Sequence, residues 1–187
     1  MTGARARLDD VIEVSWRSIE FSAVEHLQWS TGVEHRATSS VRSPTGALRY
    51  EVVAGRDWVF RILQLESTEG MLAMESDGEG GWMVDGMPRL DLSECVDIDL
   101  QFTPFTNSLP IGRLAPGIGE SAEITVAYVA YPSLEITPEL QRYTRLSDTS
   151  YRFESGDFTR DITDFTRDIT VDENGLVADY PGLFERL

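Results

Sequence analysis

Two aspartates stand two residues apart in "CVDIDL", at Asp97 and Asp99. On an extended strand this spacing puts both carboxylates on one face, roughly 6–7 Å apart at a rise of about 3.3 Å per residue. Carboxylates that close raise each other's pKa where water is scarce, which suits acid–base chemistry or a metal. The alternation supports a strand: Ile98, Leu100 and Phe102 fall on one face, Asp97, Asp99 and Gln101 on the other. In a chain with 32 acidic residues chance pairs are expected, so the same two also read as a solvated edge.

The alternation stops in "TPFTNSLPIGRL" (103–114). Pro104 and Pro110 fix φ and remove backbone donors, so this stretch cannot be a central paired strand. Thr103, Thr106, Asn107 and Ser108 offer uncharged donors and acceptors, and Arg113 adds a cation that can hold an anion or pair with an acid. Neutral polar groups beside an apolar surface suit a ligand with a hydroxyl-rich head and an apolar tail. The same residues also suit a structural corner whose side chains satisfy their own backbone.

Other chemistry is thinly represented. His26 and His35 are the only histidines, nine residues apart, and no metal-binding spacing includes them. Cys95 is the single cysteine and, beside Val96, reads as a small buried hydrophobe. There is no G-x-S-x-G elbow, and the G-x-G of "PGIGES" lacks the third glycine of a phosphate loop. The expectation is a protein without metal or cofactor.

The elements that must position these residues are strands. "LRYEVV", "DWVFRILQLES", "MLAMES", "GWMVDG", "EITVAYVAYPSLEI", "QRYTRL", "YRFES" and "ITVDENGLVADYP" are separated by turn signals about every ten residues, including Asp85-Gly86. That spacing is typical of an all-β sandwich, barrel or roll. "SAVEHLQW" and "TPELQRY" are the two stretches with some helical character. Two strands are apolar on both faces. Trp58, Phe60 and Ile62 oppose Val59 and Leu63, while Ile124, Val126 and Tyr128 oppose Ala127, Val129 and Tyr131. Such strands belong to a layered core or line an apolar cavity. "DFTRDIT" occurs in tandem at 157–163 and 164–170; seven is odd, so one copy is expected to be a strand and the other a loop or strand extension.

The 187 residues are most simply one domain, 1–187. The net charge is −16 and every basic residue is Arg. A field of that sign repels phosphate backbones and anionic lipid surfaces, so no nucleic-acid partner is expected. One cysteine, no apolar leader and no run of about 20 apolar residues point to a soluble cytoplasmic protein without an integral membrane segment.

"CVDIDLQFTPFTNSLPIGRL" resembles the signature of a bacterial family, the "putative glycolipid-binding" proteins, which carry D-[LIV]-D-L and then T-P-x-T-N-x-L-P-I-x-R-L. The match covers Asp97, Asp99, Leu100, Thr103, Pro104, Thr106, Asn107, Leu109, Pro110, Ile111, Arg113 and Leu114. "QRYTRL", "VDENGLVADYPGLFERL" and "LRYEVVAGRDWVFR" are similar to further family segments. Gly112 departs from the pattern, standing where Arg is common, and the second "DFTRDIT" copy looks like an insertion. The resemblance implies a spiral β-roll and a glycolipid-binding role with no assigned catalysis. On that reading an amphipathic ligand lays its tail on Trp58, Phe60, Tyr128 and Tyr131, and its head meets Thr103, Thr106, Asn107 and Arg113. Two alternatives stay open: a hydrolase of a sugar or lipid ester using Asp97 and Asp99, and an interaction module whose polar corner is architecture alone.

Overall fold

The computed structural model describes residues 11–160 and 163–187. The first half is a run of strands: β1 (Val11–Ser18), β2 (Ala23–Thr31), β3 (Glu34–Ser43), β4 (Gly46–Gly55), β5 (Phe60–Ser67), β6 (Met71–Ser76), β7 (Trp82–Val84) and β8 (Met87–Pro88). Then come β9 (Cys95–Leu100) and a short helix, α1 (Ser108–Leu114). The second half comprises β10 (Ser121–Val129), β11 (Ile136–Arg145), β12 (Ser150–Ser155), β13 (Phe165–Val171), β14 (Val177–Tyr180) and β15 (Phe184–Arg186).

All of these strands join one sheet, running β8 to β1, then β15 down to β9. The first and last strands therefore meet in its middle, and among the described residues only β9 on β10 is parallel. The sheet curls without closing into a barrel, the all-β roll that the resemblance implies. The curl brings β9 against β5. Two buried indoles pin it: Trp16 Nε1 donates to Val177 O at 2.8 Å and Trp82 Nε1 to Cys95 O at 3.0 Å.

Local chemistry explains most elements. Asp85 and Gly86, both at positive φ (49° and 77°), form the two-residue turn between β7 and β8; two left-handed residues match the twist of a hairpin. "SAVEHLQW" and "TPELQRY" both become strands, because their buried residues alternate: Ala23, Glu25, Leu27 and Trp29 in β2, Gln141 and Tyr143 in β11. Of the tandem repeat, the second copy supplies β13, and Phe158–Arg160 of the first is a 3-10 turn; residues 161 and 162 lie outside the described residues.

One facing assignment is overturned. The β4–β5 register shifts at Arg61, so Ala54 pairs with Phe60 and Val53 with Ile62. A bulge of one residue flips the faces on either side of it. Phe60 therefore shares the interior with Leu63, while Ile62 is 37% exposed. The doubly apolar reading of β10 holds: Ile124 and Val126 enter a smaller core cluster, Ala127 and Val129 the main one.

The polar, proline-containing stretch is the most deeply buried part of the chain, with every residue from Phe102 to Ile111 inside. Pro104 precedes a 3-10 turn, Phe105–Asn107, and Pro110 sits in the first turn of α1, where a missing N–H has no consequence. A segment buried inside a curled sheet has no strand to pair with, so it meets its backbone needs by coiling. Phe102, Phe105 and Leu109 fill the main core; Ile111 and the half-buried Leu114 reach the smaller one. No helix of the described residues is long and apolar enough to cross a membrane.

Candidate functional site

The internal segment carries its polar side chains into a connected network. Thr106 Oγ1 accepts the Leu100 N–H at 3.2 Å and donates to Asp99 Oδ1 at 3.0 Å. Gln141 Nε2 donates to the other oxygen of Asp99 at 2.7 Å and to Glu139 Oε1 at 3.2 Å. Asn107 Nδ2 reaches Pro104 O at 3.3 Å, and its Oδ1 accepts the Tyr143 hydroxyl at 3.0 Å. Register explains the gathering. Asp99 pairs with Tyr128, and Val126 lies between Asp97 on one side and Glu139 on the other, so one face of β9, β10 and β11 carries all of them.

That face opens onto a cavity of about 270 Å³, at the low end of small-molecule sites. Its polar wall holds Asp99, Glu139, Gln101, Thr103, Asn107 and Ser155, with Glu20 at the exposed rim. Its apolar wall is aromatic: Phe153, Phe165, Tyr180 and Phe184, with Tyr128 beside Asp99. Half-buried Phe165 and Leu183 mark the mouth together with Glu20.

Burial raises the Asp99 pKa against the opposing bonds from Gln141 and Thr106. Glu139 is raised by burial and then by the charge of Asp99. The same two causes, burial first and Asp99 next, push the Tyr128 and Tyr180 phenols upward. The site thus has hydrogen-bond acceptors in excess, aromatic faces and a negative field. Among the described residues no group of three or more His, Cys, Asp or Glu is placed to hold a metal.

The residues singled out from sequence divide into two sets. Thr103, Asn107 and Tyr128 line the cavity, and Thr106 stands directly behind Asp99. Arg113 is turned elsewhere: its Nη2 and Nε meet Asp97 Oδ2 at 2.6 and 3.2 Å. Asp97 does not line the cavity, so Asp97 and Asp99 do not converge on it. Trp58 packs on His35 and over Gly112 of α1, while Phe60 is fully buried and stacks on Trp82. Tyr131 meets Phe21 and Phe102 edge-on. Trp58, Phe60 and Tyr131 therefore pack into or against the core, and besides Tyr128 the cavity's aromatic lining comes from β12 to β15.

Glu139, Gln141, Phe165, Tyr180 and Phe184 were missed. For the first two a signal existed. Read as a strand, "TPELQRYTR" puts Glu139, Gln141 and Tyr143 on one face, an odd mixture for a solvated surface.

Glu25 on β2 forms a second buried acidic centre. Its Oε1 accepts from Ser39 Oγ at 2.7 Å and from Tyr50 OH at 2.6 Å, and the Tyr50 hydroxyl stands 3.3 Å from Thr103 Oγ1. Burial lifts its pKa from 4.5 to about 6 against these hydroxyls. The folded chain therefore holds this proton over a range in which the unfolded chain has lost it. The group favours folding below about pH 4.5, and that contribution is lost as pH rises through 6, by roughly 2 kcal/mol. In urea unfolding, Glu25→Gln should gain roughly 2 kcal/mol relative to the parent between about pH 4 and pH 7. Parallel pH profiles would contradict this. Asp97, Asp99 and Glu139 share the direction of shift, so only the difference between the two proteins isolates Glu25.

Comparison with known proteins places the chain in a family and agrees on the fold. The family model described as "Putative glycolipid-binding" matches residues 13–186. A crystal structure of a DUF1089 family protein from Pseudomonas aeruginosa is similar with a TM-score of 0.68 and 32% identity, covering 100% of this chain and 97% of that one. No curated protein matches. The matched span runs from β1 to the last residue of β15, and so takes in the whole curled sheet, the internal segment and the cavity; the chain belongs to the "Putative glycolipid-binding" family.

Proposed function

We propose that the protein binds the hydroxyl-rich head group of an amphipathic molecule such as a glycolipid, without catalysis, and that the head enters the cavity beside Asp99 while the tail stays outside. The observation that carries this reading is the pairing, in about 270 Å³, of an acceptor wall (Asp99, Glu139) with an aromatic wall (Phe153, Tyr180, Phe184). Sugar hydroxyls donate to carboxylates and amides, bonds that are strong where the acceptor is charged. The apolar faces of a pyranose ring cover aromatic rings. The volume suits a head group, and the rim of exposed Glu20 and half-buried Phe165 and Leu183 gives a chain its way out. The family description points the same way.

Octyl glucoside tests this in a thermal melt. At ligand near 100 times Kd the fold gains about 2.7 kcal/mol, or roughly 5–10 °C for a chain of this size. Asp99→Asn should cut the gain at least by half, and methyl glucoside should protect nearly as well as octyl glucoside. Protection that needs the octyl chain and ignores Asp99 would overturn the reading, as would no protection by any glycoside.

A further inference from the structure

We propose that the head group this cavity selects carries a protonated amine, so that the preferred ligand is an amino-bearing polyol rather than a neutral or anionic sugar. The inference rests on the head-group reading above and concerns the charge that the site is built to take.

Two other inward acids have cations, and the buried Glu25, outside this cavity, is held by the Ser39 and Tyr50 hydroxyls instead. Asp97 has Arg113 at 2.6 Å, and Asp172 has Arg186 at 2.6 Å. Asp99 and Glu139 differ. Their hydrogen bonds come from the uncharged Thr106 hydroxyl and the Gln141 amide, and among the described residues neither makes an ion pair. No Arg or His lines the cavity, while Glu20 adds a third carboxylate at the rim. Two carboxylates sharing a recess without a counter-charge oppose each other's ionisation, and a cation between them relieves both.

The remaining walls suit the same ligand. Tyr180, Phe153 and Phe184 line the cavity, and the face of an aromatic ring carries the negative side of its quadrupole, which attracts an ammonium group in a desolvated site. A metal ion fits less well, since the described residues hold no group of ligands placed for one. The basic side chain on this face is Arg167 of β13, over the Phe165 ring at 4.8 Å and bonded to Thr166 O. Its charge acts on Tyr180 in the aromatic wall. It is exposed, and it leaves the deeper pair of acids to the ligand. Asp164 adds to the negative potential at Glu139.

Three octyl glycosides that differ only in charge make the test: the glucoside, the glucosaminide and the glucuronide, titrated by calorimetry near pH 7. The glucosaminide should bind at least about tenfold tighter than the glucoside, and the glucuronide should bind weakest. Binding of the amine should release protons, seen as a dependence of the apparent enthalpy on the buffer, and the glucoside should release fewer. Glu139→Gln and Asp99→Asn, each checked for a native melt, should remove the preference; two variants guard against one failing to fold. Equal affinity for amine and glucoside, or an amine preference that survives in both variants and so reflects only the net charge of −16, would overturn this inference and leave the head-group reading standing. No binding of any of the three would overturn both.

Discussion

Replacing Arg113 by alanine is expected to destabilise the fold by about 3–5 kcal/mol. Asp97 is fully buried, and the guanidinium, one-fifth exposed, places two N–H groups on one of its oxygens. Burial raises the Asp97 pKa even with Arg113 present, which shows how far the carboxylate depends on its cation. Without Arg113 the acid must stay buried unpaired or take up a proton, and either alternative weakens the folded state. Arg113 also closes the last turn of α1, so its loss loosens the internal segment at the end facing β9. Urea unfolding of the single variant and of Arg113→Ala with Asp97→Asn checks this. The double variant should recover at least half of the loss, because the orphaned charge has gone. A single variant within about 1 kcal/mol of the parent would place this pair with ordinary surface ion pairs, contrary to its burial.

The second large effect concerns Gly112. A Cβ built there falls 2.5 Å from the Trp58 ring and within 2.8 Å of two more of its atoms. Trp58 is itself held at φ 65°, a left-handed conformation costly for a bulky residue, and its ring stacks on His35 at a centroid distance of 4.2 Å. His35 in turn stacks on the buried Trp29. Gly112→Arg, the residue common at this position in the family pattern, must push the indole off this stack and uncover it. A loss of about 3 kcal/mol is expected, together with a red shift of tryptophan emission as Trp58 reaches water. Gly112→Ala should lose less, since alanine gains about 1 kcal/mol of helix propensity against the same clash. An arginine variant with parental stability and emission would mean that the indole has another resting place. Trp58, expected from sequence to touch a ligand tail, thus acts here as the cover of α1.

Some of the fold can be read directly from the chain. Strand residues in β6 and β12 alternate between faces, and Asp85-Gly86 takes the positive φ values that a two-residue hairpin demands. The prolines at 104 and 110 correctly exclude a paired strand. They were silent on what replaces it, because a proline ahead of a turn and one in the first turn of a helix look alike before the surroundings are known. Phe60 was assigned to the wrong company because one extra residue at Arg61 inverts the alternation, and a bulge leaves no mark in the hydrophobic pattern.

The candidate site divides in the same way. Thr103 and Asn107 stand out in the sequence as neutral polar groups in the proline-containing bend and Tyr128 as part of a doubly apolar strand, and all three line the cavity. Asp97 and Asp99 were indistinguishable in sequence, with the same residue type two places apart on one strand. Only the structure gives one of them an arginine and the other a cavity.

By itself, then, the sequence determined the repeating two-residue pattern, the turns and the acidic, lysine-free surface, since each depends on neighbours a few positions away along the chain. The tertiary structure decided the curvature of the sheet, the burial of the polar segment within it and the meeting of Asp99 with Glu139, Phe165 and Phe184. Those residues are distant in sequence and adjacent only because the strands between them stack side by side and roll. Such a contact depends on accumulated twist and bulges over many strands, a sum that no local window contains.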